Sequence, residues 1–460
     1  MSHPPVPTAL AGRAVSRRAL LALLAAGGAG LLTACERDQL GRAEPAAGSL
    51  AAMPSGSGDG GGIRELRGAG SRVAPAGMTM LRLRFGAFSS ALLAATQPDD
   101  KGNTLISPYS LLAAIGMADF GATGAPAEAL KRGLSGSADE VASWITAIDA
   151  AVAAAVADSQ DVQAGGQQLD PMVVQTANSL FLQQDYRLRR EFLDALARGY
   201  DAPVRTVDFR GDADGARSAI NTWVGERTRG LIPELLDPAR VTELTRLVLV
   251  NALYLKAPWA AGPAAEDTHD FAVGGKQRLP VPWLSMDTQT IPYATGDGWS
   301  AASIGLGGGG LAMTIVLPDK ADTDPVTLLR PEVWTLPSTA PATKVKVQLP
   351  RLELDSSTDM VPALSAMGMA GAFNVPLTGM GEPGQEPLLI TAIIHKVKFT
   401  SDDQGIEAAA ATAVVAPGGA APGPPEKAPV EFVVDRPFLF VVHDVETGMP
   451  LFTGAISDPR

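Results

Sequence analysis

Residues Ser401–Ala416 read SDDQGIEAAAATAVVA and run into APGGAAPGPPEKAP, Ala416–Pro429. The first part is uncharged after Glu407, free of proline until Pro417, and made of small side chains. It lacks the Leu and Lys of an exposed helix, and its β-branched residues are few. The second part is an exposed loop stiffened by proline. Taken alone, the pair reads as a solvent linker or a frayed helix, so its neighbours must decide.

Those neighbours are β-rich. EFVVDRPFLFVVHD (431–444) follows, and LTRLVLVNALYLK (244–256), GLAMTIVLP (310–318) and TKVKVQLPRLEL (343–354) precede, several with period-two alternation. Further upstream, MLRLRFGAFSSALLAA (80–95) carries helical apolar spacing, and SPYSLLAAIGMADFGA (107–122) predicts a mostly buried helix. Helices in the first third and strands after it predict an α+β fold with large, mainly antiparallel sheets. No linker interrupts residues 78–460, which read as one domain without internal repeats.

Composition narrows the function. The 460 residues are 46% apolar with net charge −12, four His and a single Cys. That charge argues against nucleic acid as a partner. One Cys forms no internal disulfide, and four His leave little for a metal site or a catalytic centre. GLGGGG (305–310) precedes a strand and not a helix, so it reads as a turn. His443 and Asp444 are adjacent on a strand and point to opposite faces, which is not a dyad. No catalytic residue, metal site or cofactor is expected.

The N-terminus reads as an address. Arg17 and Arg18 precede an apolar run ending at Ala34, too short to span a bilayer, which takes about 20 residues. Paired Arg in this context resembles a twin-arginine export signal. Leu32-Thr33-Ala34-Cys35 resembles a lipobox, and the chain's only Cys stands where lipidation would fall. Residues 1–35 are thus expected to be a signal peptide. The product would be an exported lipoprotein, anchored to membrane at Cys35 and facing periplasm or cell exterior. Residues 36–77, rich in Gly, Ala, Pro and Ser, predict a flexible tether spanning ~36 Å as a coil.

Ordered motifs then single out a family. Asn103-Thr-Leu-Ile-Ser107-Pro108-Tyr-Ser110, Asn178-Ser-Leu-Phe181, Ile220-Asn221-Thr-Trp223-Val224 with Thr228-Arg-Gly230, and Val250-Asn251-Ala-Leu-Tyr-Leu-Lys256-Ala-Pro-Trp259 occur in sequence. Phe432-Val-Val-Asp435-Arg436-Pro437-Phe438-Leu439-Phe440 and Pro450-Leu451-Phe452-Thr453-Gly454 close the series. From about residue 80 to its end the chain resembles the serpins. The resemblance implies a fold of about nine helices around three β-sheets with an exposed reactive-centre loop, here about 403–430. It implies a monomeric inhibitor of serine endopeptidases, with cysteine endopeptidases a further target class. In such proteins the loop is cleaved as a substrate, and its N-terminal part enters the main sheet while the acyl-enzyme is trapped.

The resemblance assigns residues as well. Asp403, Gln404, Gly405, Ile406, Glu407, Ala408, Ala409, Ala410, Ala411 and Thr412 correspond to the hinge and inserting strand. Such a strand buries both faces, so the scarcity of charge and proline suits it. Ser107, Ser110, Asn251 and His395 correspond to a hydrogen-bonded gate beneath the sheet centre. Arg351 and Asp403 correspond to an ion pair at the insertion point, with Trp259 nearby. Ile406 stands where inhibitory members carry Thr or Ser. Counting forward from Asp403 places the scissile bond at Gly419–Ala420, whereas counting back from Pro437 places it near Glu426–Lys427. The first count fits the length of the sheet, and Gly or Ala before the bond suits elastase-like or subtilisin-like proteases, joined in a covalent acyl complex. Lys131 and Arg132 stand among Glu128, Asp139, Glu140, Asp149, Asp158 and Asp161, so heparin is not an expected partner. Ile406 and the long Gly/Pro loop favour an alternative, a non-inhibitory serpin acting as a binding or chaperone-like module.

Overall fold

The run Leu247–Lys256, apolar at nearly every position, demands a strand covered on both faces. In the computed structural model, which describes residues 62–76, 78–164, 172–274, 277–329, 336–401 and 428–460, it is one of the two innermost of six strands in one sheet. The members of that sheet, numbered along the chain, are β1 (Arg64–Leu66), β3 (Val173–Gln183), β4 (Val204–Val207), β5 (Leu247–Lys256), β11 (Leu352–Asp359) and β12 (Ile393–Ser401). Their spatial order is β1-β4-β3-β5-β12-β11. β5 runs antiparallel to β3 but parallel to β12, with Asn251 opposite His395 and Leu253 opposite Val397.

The alternation of β5 feeds two cores. Val248, Val250 and Ala252 meet Phe181, Val207, Ile394 and residues Ile220 and Val224 of a helix lying over that face. Leu249, Leu253 and Leu255 enter the larger core with Val397 and Phe399. That second face receives the helix Pro108–Asp119, every residue of which is buried, in keeping with its apolar character all round. Helices are numbered α1 (Met78–Ala95), α2 (Pro108–Asp119), α3 (Ala125–Leu134), α4 (Ala138–Ala164), α5 (Arg190–Tyr200) and α6 (Ala213–Arg227).

The remaining nine strands form a second system. They are β2 (Thr104–Ile106), β6 (Ala264–Val273), β7 (Gln277–Gly296), β8 (Trp299–Leu306), β9 (Leu311–Pro318), β10 (Ala342–Pro350), β13 (Val430–Val433), β14 (Phe438–Asp444) and β15 (Pro450–Ile456). Their order is β13-β10-β7-β8-β9-β14-β15-β2, with β6 also on β7. The long β7 belongs to two sheets at once. Its first part pairs β6 and β10, and Tyr293–Gly296 pair β8. The fold is therefore α+β with three sheets, two of them sharing one strand.

Three details differ from the sequence reading. The run 343–354 is two strands in different sheets, broken at Pro350-Arg351, where Pro350 has no N–H and the Arg351 N–H reaches back to the Pro282 carbonyl at 2.9 Å. The run 431–444 breaks likewise around Asp435-Arg436-Pro437. Within the stretch read as tether, Arg64–Leu66 pair β4 antiparallel, and residues up to Ala76 lie along the helices, with Val73 N–H on the Arg198 carbonyl at 2.8 Å. The pattern of a three-residue edge strand is too short to detect. GLGGGG forms the β8–β9 turn, where Gly307 and Gly309 take φ of 46° and 92°.

Candidate functional site

The middle of the six-stranded sheet carries a polar cluster where apolar packing would be expected. Parity places it. Asn251 shares its face of β5 with Leu249 and Leu253, and His395 shares its face of β12 with Ile393 and Val397, so both side chains point toward α2. The start of α2 meets them there. Ser107 is its N-cap, with its hydroxyl accepting the Ser110 N–H at 3.2 Å, and Pro108 begins the first turn.

The hydrogen bonds then close across the seam. The Ser107 N–H donates to Nε2 of His395 at 2.9 Å, and Nδ1 of His395 bonds Oδ1 of Asn251. The Ser110 hydroxyl donates to the same Oδ1 at 2.8 Å, and Nδ2 of Asn251 donates to Oδ1 of Asn178 at 2.8 Å. Ser107, Ser110, Asn251 and His395 are all buried. The structure thus brings these four residues together, and adds Asn178 of β3. Sequence reasoning quoted Asn178 in a motif but gave it no role. The signal was there in retrospect, because an Asn within an otherwise apolar strand requires a partner.

The pattern fixes the chemistry. Nε2 of His395 accepts a backbone N–H, so the ring is neutral with its proton on Nδ1. Burial pushes its pKa down to about 3. With its one basic nitrogen occupied, and both hydroxyls turned to other partners, the serines and histidine make no nucleophile–base pair. What the arrangement does is tie β3, β5, β12 and α2 at one point. His443, the other histidine buried among the described residues, bonds the Thr314 hydroxyl at 2.9 Å, while Asp444 accepts the Thr447 N–H at 2.7 Å, so that adjacent pair forms no dyad.

The other residues singled out fall elsewhere. Arg351 is exposed at the β10–β11 break, and Trp259 is buried with a bridge to Leu306. Asp403, Gln404, Gly405, Ile406, Glu407, Ala408, Ala409, Ala410, Ala411, Thr412, Gly419 and Ala420 lie outside the described residues, as do Arg17, Arg18 and Cys35. By chain order, residues 402–429 join the end of β12 to β13, strands of different sheets.

Comparison with known proteins supplies a context for this geometry. A family model described as Serpin (serine protease inhibitor) matches residues 85–459. A leukocyte elastase inhibitor of Bos taurus is 32% identical over 379 residues, covering 80% of this chain and 96% of its own length. An uncharacterized serpin-like protein of Thermococcus kodakarensis is 32% identical over 363 residues, 78% of this chain and 82% of its own. Among solved structures, a thermophilic serpin, tengpin, in the native state superposes with TM-score 0.71 at 21% identity, covering 86% of this chain and all of its own. An Arabidopsis serpin in a native stressed conformation gives TM-score 0.69 at 24% identity, with 84% and 100% coverage.

Proposed function

The chain belongs to the serpin family, and from that premise we propose that it is a protease inhibitor, not an enzyme, which works as a suicide substrate of serine endopeptidases. One observation carries the reading: β5 and β12 run parallel side by side in the centre of a six-stranded sheet. The chain leaving β12 continues into Ser401–Ala416. If it turned back and entered that seam, it would run antiparallel to both neighbours. One parallel pairing would be exchanged for two antiparallel ones, the slightly more stable kind. Roughly ten new backbone hydrogen bonds at about 1 kcal/mol each would oppose the ordering of the strand. Ile406, Ala408, Ala410, Thr412, Val414 and Ala416 would then face one side, with Glu407 and small residues facing the other.

In the proposed reaction the protease's serine oxygen attacks the Gly419 carbonyl. The Gly419–Ala420 bond breaks, Ala420 leaves as a new amino terminus, and Gly419 remains esterified to the enzyme while the strand inserts. Elastase-like or subtilisin-like enzymes are the proposed targets. The leukocyte elastase inhibitor relatives support that class. Incubation with elastase and with subtilisin should yield complexes stable to denaturing electrophoresis, and mass spectrometry of the released fragment should begin at Ala420. Clean cleavage without a complex would favour the non-inhibitory module. Ala410→Arg should convert inhibitor into substrate, and retained trapping would undercut the strand register. We further propose that Arg17 and Arg18 direct export and that Cys35 carries the lipid anchor. Labelling with a radioactive fatty acid should be lost in Cys35→Ala.

A further inference from the structure

The seam between β5 and β12 is crossed, on the face opposite α2, by the segment that joins α6 to β5, residues 228–246. Its Ile232, Leu235, Leu236 and Val241 pack with Val248 and Val250 of β5 and with Ile394 of β12. Hydrogen bonds assign this segment to the β5 side. Asn221 of α6 accepts the Leu235 and Leu236 N–H groups at 3.0 and 2.9 Å and donates to the Leu236 carbonyl at 3.1 Å. α6 itself rests on β3 and β4, with the Trp223 ring 5.4 Å from that of Phe181 and 4.4 Å from the Arg205 guanidinium.

Two contacts reach the segment from the far side of the seam. Lys396 of β12 donates to the Glu234 carbonyl at 3.0 Å, and Arg240 pairs with Asp359 of β11 at 3.6 Å. They differ in what release leaves behind. Lys396 also lies 3.7 Å from Asp355, a partner on its own side. Arg240 meets no other carboxylate among the described residues, whereas the Asp359 carboxylate keeps the Val361 and Ile393 N–H groups at 3.1 and 3.3 Å. Asp359 stands opposite Ile394, about 23 Å back along β12 from Ser401 at ~3.3 Å per residue. A strand entering between β5 and β12 adds one spacing of about 4.8 Å, which carries Asp359 out of reach of Arg240. Entry can therefore begin beside Ser401 with this pair intact, but it cannot finish until the pair opens.

We propose that Arg240, acting through Asp359, is a positioning residue that keeps the far end of the seam closed and sets how fast a strand completes its entry, a role that rests on the proposed strand insertion. The test adds a fluorescein-labelled peptide with the sequence of Ser401–Ala416 to the full chain and follows uptake by anisotropy, with elastase trapping measured beside it. Arg240→Ala and Asp359→Asn should each take up peptide about threefold faster than the parent, the scale of a partly exposed ion pair. The double variant should be no faster than either, and Arg240→Lys should return to the parent rate. Asp359→Asn keeps an acceptor for both N–H groups, so its urea midpoint should stay at the parent value. Equal uptake by Arg240→Ala and the parent, or effects that add in the double variant, overturns the role of the pair. No uptake by the parent overturns strand insertion and this role with it. Faster uptake in the variants, without elastase complexes in any of them, supports the pair and sinks the inhibitory reading alone.

Discussion

Each of the two sheet systems buries a histidine, and the two are held in different ways. His443 lies in β14, flanked by antiparallel β9 and β15, and bonds Thr314 of β9. The surrounding strands are mostly apolar, with Phe438, Phe440 and Phe452 fully buried. His395 lies in β12 against parallel β5 and serves α2 and β5 together. The first histidine decorates a seam closed by apolar packing. The second is part of what closes its seam. A polar tie is directional and can be undone by changing one group, whereas a packed apolar seam cannot. The contrast places the weak line of the fold between β5 and β12.

The largest expected effect separates the two directly. His395→Leu would orphan the Ser107 N–H and remove one donor from Asn251, at a cost of about 2–4 kcal/mol. His443→Leu leaves the Thr314 hydroxyl its bond to the Ser303 hydroxyl at 3.0 Å. Its expected cost is about 1 kcal/mol. Urea unfolding midpoints of the two variants check the difference, and equal losses would erase the distinction between the seams.

The sequence made some of this legible and hid the rest. The unbroken apolar run of β5 announced a strand buried on both faces, and SPYSLLAAIGMADF announced a buried helix, because composition alone carries both signals. Family motifs placed Ser107, Ser110, Asn251 and His395 under the sheet. Their bonding could not be read, since it depends on residues 288 positions apart meeting with a particular tautomer. The parallel register of β5 and β12 was equally hidden, because apolar alternation reports a face and not a direction. The edge strand Arg64–Leu66 escaped notice for a further reason. Its three residues lie in a stretch that reads as tether, and only the fold pairs them with β4.

Acid should act on one seam more than the other. Burial lowers the pKa of His395 from 6.5 to about 3, so the folded state refuses a proton that the unfolded chain accepts. Stability from this group is complete above pH 6.5 and is lost as pH falls toward 3. Between pH 7 and pH 5 the loss should be about 2 kcal/mol. Asp119 works in the opposite direction, since burial raises its carboxyl to about 6 and its protonation below that pH relieves a penalty. The informative measurement is therefore the difference in pH dependence between the unmodified chain and His395→Gln. That difference should be absent above pH 7 and grow below 6.5. Parallel curves would mean that His395 does not titrate in the unfolding reaction. Hydrogen exchange followed over the same range should accelerate in β12 before β14.

The smallest effect tests how far the tie extends beyond the seam. Asn178 is half-buried on β3, opposite Asn251 in the antiparallel register, and accepts from its Nδ2 at 2.8 Å. Asn178→Ala removes that acceptor while β3 and β5 keep their backbone ladder, so the expected cost is about 1 kcal/mol. Asn178→Asp keeps an acceptor at the same place and should restore most of the loss. A tie that ended at Asn251 would leave both variants as stable as the parent. Failure of Asp to rescue would show that the shape of the amide, and not its oxygen, holds β3 to the seam.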